Sequence, residues 1–187
     1  MSKKGTVKTD PRAQGFLGRE FLTWLWFRCE MDGGTFELGR EQEEVGVVFN
    51  DYVSLISDGD DREESIVKKG SPHRSAEART ALLVGKIVAT AKLEVARGER
   101  SWTVTISGET LDLRSVKYPS PQADDPEEKA IERLDAMREL SEIVDGLYGL
   151  FLRVRTAPEW DAKEVPAMAK WIEKRAGHLA TKGPGGA

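Results

Sequence analysis

Little in this chain is suited to covalent or metal chemistry. Cys29 is its single cysteine, so no internal disulfide can form, which fits a reducing compartment. His73 and His178 are the only histidines, and with one cysteine they match no zinc-ligand spacing. No GxSxG nucleophile elbow occurs, nor a phosphate-cradling GxGxxG or GxxxxGK followed by Ser or Thr. The longest apolar run is too short to cross a bilayer, and the SKKGTVKTDPRAQG that follows Met1 has charge but no hydrophobic segment. We therefore read a cytoplasmic protein with no membrane partner, no catalytic residues, no metal and no cofactor.

The carboxylates do not change that reading. DGDDREE at Asp58 to Glu64 lacks the alternating acids and spaced final Glu of an EF-hand loop, and reads as a solvated turn. Acid pairs such as Glu132 with Asp135, or Glu139 with Glu142, lie among arginines on the wet face of a helix. A nuclease would need several carboxylates converging on magnesium, and no spacing here selects such a set.

What is present is a chain of 187 residues, 39% apolar and 32% charged, with a net charge of −4. These values describe one well-solvated globular domain. They argue against a protein that coats nucleic acid with its whole surface, but not against a local basic groove.

The densest apolar stretch is FLGREFLTWLWFRC, Phe16 to Cys29. Leu17, Phe21, Trp24 and Leu25 share one helical face, while Phe16, Leu22, Trp26 and Phe27 cover much of the rest. Such a helix is either packed on two sides within its own chain or shared with a second copy or another protein. In the second case Phe16, Phe21, Trp24, Trp26 and Phe27 form the interface.

Around this helix the pattern predicts an α+β fold. Residues 1–15, basic and nearly devoid of apolar side chains, read as a mobile tail; 16–178 as a single domain; 179–187 as a flexible end. Gly33 and Gly34 stop the first helix and GTFEL follows as a short strand. Val45 to Phe49 and Tyr52 to Ile56 read as two strands joined at Asn50 and Asp51, which places Phe49 opposite Tyr52. SIVKK suggests a further strand. Ser75 caps a short helix ending at Gly85. IVATAKLEV points Ile87, Ala89, Ala91, Leu93 and Val95 one way, and SWTVTIS does the same with Trp102, Val104 and Ile106. LDLRSV continues the meander. Asp125, Pro126 and Glu128 start a long helix with Leu134, Met137, Leu140 and Ile143 on one face, and a last helix from Pro166 buries Met168, Trp171 and Ile172. The expected architecture is an antiparallel sheet of hairpins and a meander, packed with an aromatic N-terminal helix and a long C-terminal one.

Positive charge remains as the candidate for function. Lys68, Lys69, Arg74 and Arg79 precede or lie on the short helix; Lys86 and Lys92 follow it, and Arg114 and Lys117 lie two strands on. If Lys92 and Arg114 both point away from the apolar face, a phosphate backbone could lie across them.

FLGREFLTWLW at Phe16 to Trp26, GKIVATAKLEV at Gly85 to Val95 and LDLRSVKYP at Leu111 to Pro119 together resemble the later part of RdgC, the recombination-associated protein family. The resemblance spans Phe16 to Trp171 and rests on structural rather than catalytic motifs. It implies a nucleoid protein that binds duplex DNA without sequence preference, as a ring-like homodimer, and limits recombinase access by occupying DNA, with no nucleotide or metal. The family's Gly-Lys, Lys-Leu and following basic stretch correspond to Gly85 and Lys86, Lys92 and Leu93, and Arg114 and Lys117.

Overall fold

The computed structural model describes residues 11–39, 42–57, 64–68 and 75–180. Helix α1, Pro11–Met31, begins inside the segment read as a tail: Pro11 sets its own φ for a first helical turn, and Arg12, Ala13 and Gln14 extend it. Residues 1–10 and 181–187 lie outside the described residues. Past the helix end, Gly33 and Gly34 take φ of 76° and 75°, and the Gly34 carbonyl accepts the Val47 amide at 2.7 Å.

Six strands follow in one antiparallel sheet: β1 Thr35–Leu38, β2 Glu43–Ile56, β3 Glu64–Lys68, β4 Ile87–Arg97, β5 Arg100–Ser107 and β6 Leu113–Lys117. Their order is β1-β2-β4-β5-β6, with β3 joined to the second half of β2. Helix α2, Ala76–Leu83, starts where the Ser75 hydroxyl accepts the Ala78 amide at 3.2 Å. Helix α3, Pro126–Thr156, starts where Asp125 accepts the amides of Glu127 and Glu128 at 2.8 and 3.2 Å. A turn of π-helix, Trp160–Glu164, leads into α4, Val165–Ala180. The α+β expectation is met, with the aromatic helix first and the long helix after the sheet.

The apolar circumference of α1 is filled by its own chain. Phe21, Leu22, Trp24, Leu25, Trp26 and Phe27 are all at most 3% exposed. Trp26 stacks on Phe49 of the sheet with ring centres 5.6 Å apart, while Phe21 meets Tyr148 at 5.3 Å and Trp24 meets Phe151 at 5.5 Å on α3. Phe27 meets Trp171 of α4 at 5.6 Å. The helix is thus sandwiched between sheet and helices, and Phe21, Trp24, Trp26 and Phe27 are core residues rather than an interface. The side chain of Phe16 lies outside the described residues.

Three strand and helix expectations need correction. Asn50 and Asp51 do not turn the chain: β2 runs through them, and between the pairs Phe49 with Leu93 and Val53 with Ala91 only Lys92 stands opposite Asn50, Asp51 and Tyr52. This bulge carries Asp51, which strict alternation would aim at the core, to the outer face. In β4 the inward residue near the start is Val88, because Ser54 pairs with Thr90 and Leu55 with Val88, leaving Ala89 as an extra residue. On α3 the core face is Ala136, Leu140, Ile143, Val144, Leu147 and Phe151, whereas Leu134 and Met137 are exposed. Both stripes satisfy helical spacing, and the position of the sheet selects between them.

Candidate nucleic-acid interface

The helices pack on the sheet face that carries Val45, Val47, Leu93, Val95, Trp102, Val104 and Ile106, all buried. The other face is built from the alternate residues. Across it Lys92 of β4 pairs with Thr105 of β5, and Thr105 pairs with Arg114 of β6, so these three stand in one cross-strand row. In the next row Glu94 pairs with Thr103 and Thr103 with Lys117. Neighbouring strands are ~4.8 Å apart, so Lys92 and Arg114 are rooted ~10 Å from one another with a hydroxyl between them. Lys92, Arg114 and Lys117 are therefore brought together as expected.

Each of the first two carries a carboxylate partner. Lys92 Nζ lies 2.8 Å from Asp51 Oδ1, and Arg114 Nη2 lies 3.3 Å from Asp112 Oδ2. The hydrogen bond donated by Lys92 is the main cause that holds the Asp51 carboxyl below the usual carboxylate range, and the Lys117 charge adds to it. Asp112 is also held low, first by hydrogen bonding with Thr110 and then by Arg114. The face is thus a set of cations, carboxylates and threonine hydroxyls rather than a purely basic plate.

The remaining candidates do not join this row. Lys86 donates to Ser65 Oγ at 3.0 Å, and Ser65 pairs with inward-facing Leu55, so Lys86 sits towards the helix side of the sheet. There it lines a cavity of about 310 Å³ with Thr23, Trp160 and Met168. Lys68 pairs through its backbone with Tyr52, and Arg79 lies on α2. The side chains of Lys68 and Arg79 lie outside the described residues, as do Lys69 and Arg74 entirely.

Sequence reasoning missed the acids and the hydroxyls. Asp51 was hidden in an apparent turn, and its lysine is 41 positions away. The alternation Thr103, Val104, Thr105 was a usable signal that two hydroxyls share the outer face with Lys92.

Among the described residues no group of three or more His, Cys, Asp or Glu side chains is placed to hold a metal ion, and no helix is long and apolar enough to cross a membrane. Cys29 is half-buried, and burial, with the Asp32 charge added, pushes its thiol up to about 12, so it is a poor nucleophile. No family model matches this chain, and no curated protein does either.

Proposed function

We propose that this protein binds DNA without sequence preference, in the RdgC-like manner of occupying duplex and limiting recombinase access, with no catalytic step. The reading belongs to recombination or replication control at the nucleoid. The observation that supports it is the row Lys92–Thr105–Arg114, with Lys117 one row away, on the sheet face opposite the one against which the described helices pack. Lysine, arginine and threonine are the side chains that most often contact phosphate and sugar, and contacts of that kind carry no sequence information.

A DNA phosphate meeting this face competes with Asp51 and Asp112 for the same cations. Binding is therefore modest and strongly dependent on salt. Fluorescence anisotropy with several unrelated duplexes across a salt series tests it. Equal affinities that fall with salt are expected, and the triple variant Lys92→Glu, Arg114→Glu, Lys117→Glu weakens every duplex alike. Absence of binding at low salt overturns the reading.

A further inference from the structure

The bulge that carries Asp51 to the outer face of the sheet also brings an aromatic ring there. Val53, the next residue along β2, is fully buried on the helix side, and from Tyr52, paired with Lys68, the ladder between β2 and β3 runs unbroken to Ile56 and Glu64. Alternation therefore turns Tyr52 to the face opposite the described helices, where it is half-buried. Tyr148, in contrast, packs edge-on against Phe21 in the core. Among the described residues Tyr52 makes no such ring contact, and its hydroxyl makes no hydrogen bond.

The ring is not the only apolar group on this otherwise ionic face. Val48, earlier on β2 and paired with Glu94, and Ile66, on β3 and paired with Ser54, share it and are 59% and 42% exposed. The cations lie beyond the ring. Lys92 stands opposite the bulge on β4, one strand spacing or ~4.8 Å from β2, and Arg114 is rooted three spacings or ~14 Å away on β6, with Thr105 between them. A polymer crossing the strands from β2 to β6 meets an aromatic ring, an ammonium, a hydroxyl and a guanidinium in turn.

Stacking on a protein ring requires a base whose own face is open. In a duplex each base is covered above and below by its neighbours, so a tyrosine on a sheet surface finds nothing to stack on. In a single strand the bases can splay out onto aromatic side chains while the phosphates follow the cations, and every base has a π-face, so the contact tolerates any sequence.

We propose that Tyr52 is a stacking site for an unpaired base, and that the outer face holds single-stranded DNA across its strands with phosphates at Lys92 and Arg114. This rests on the DNA-binding reading above and adds to it a contact that intact duplex cannot make.

Fluorescence anisotropy tests it with three probes: a mixed-sequence single strand, a strand of the same length built from abasic nucleotides, and the duplex. Tyr52→Ala weakens binding of the single strand about tenfold, the loss expected when one stacked base is released, and leaves the abasic strand and the duplex unchanged. Tyr52→Phe keeps the ring and binds the single strand as the parent protein does. Unchanged duplex binding also checks that the sheet face is intact, and Tyr52→Thr, which retains a strand preference, carries the same expectation if the alanine variant misfolds. A single-strand affinity that Tyr52→Ala does not lower overturns the proposal. So does an equal loss on the duplex or the abasic strand, or a loss with phenylalanine as large as with alanine, which would make the hydroxyl the contact. Those results leave the DNA-binding reading standing, whereas a parent protein that binds none of the three probes at low salt overturns both.

Discussion

Gly18 of α1 and Gly108 of the β5–β6 turn meet backbone to backbone. A Cβ on Gly18 would overlap the Gly108 carbonyl oxygen, and one on Gly108 would press on the Arg19 backbone at 3.0 Å. The Gly108 amide is tied in turn to the Ala89 carbonyl at 2.7 Å, at the extra residue of β4. The aromatic helix can lie this close to the sheet only because both positions lack a side chain.

Gly18→Ala is expected to destabilise the fold by about 2 kcal/mol, since the overlap outweighs the ordinary helical preference for alanine. Gly98→Ala, at a φ of 56° with open space around it, serves as the comparison. It is expected to cost about 1 kcal/mol from conformation alone. Urea midpoints measure both, and equal losses would refute the close approach as the cause.

Asp51→Asn and Asp112→Asn should strengthen DNA binding, because they remove the carboxylates that compete with phosphate for Lys92 and Arg114. Both carboxyls are held below the usual range, so the ion pairs are complete above it and are lost as pH falls through the depressed values. At neutral pH the acids are therefore fully charged and the substitutions act at full strength. The slope of log affinity against log salt should steepen by about 0.9 for each cation released to a phosphate. Titrations of the double variant and the parent protein on one duplex read this directly, and an unchanged slope would show that these cations do not meet phosphate.

Glu164, at the end of the π-helical turn, accepts a hydrogen bond from Trp24 Nε1 at 3.2 Å and faces Arg28 at 3.5 Å. Trp24 is fully buried. Glu164→Ala strands its indole N–H in apolar surroundings, for an expected loss of about 1–3 kcal/mol. Glu164→Gln keeps an acceptor oxygen and is expected to cost less than half as much. Thermal or urea unfolding of the pair separates the two, and equal losses would mean that the indole bond is not the source.

The parts of the fold that depend on a few adjacent residues were legible. Ser75 and Asp125 cap their helices through amides within three positions. The alternation in β5 reports Trp102, Val104 and Ile106 correctly as inward. The candidate interface was legible in part, since the common face of Lys92 and Arg114 follows from alternation on neighbouring strands. Asp51 was not, because an Asn-Asp pair suits a tight turn or a bulge equally, and only pairing with β4 chooses the bulge. Lys86 was placed with the wrong group for a similar reason: the extra residue at Ala89 shifts the alternation of β4 between its start and Lys92.

Composition and short-range pattern were enough to establish an α+β chain whose first helix must be covered on nearly every side, because burying that many aromatic groups is favourable wherever a surface can be found. They could not say which surface covers it. Folding answered with the chain's own sheet and its two last helices, since those elements together supply apolar area on both sides of α1. The same long-range packing decided which stripe of α3 became core and which stayed open to solvent, and it put an acid 41 positions away beside Lys92. Neighbour relations of this kind arise from strand register and layer packing, which act between residues remote in the chain and leave only ambiguous local signals.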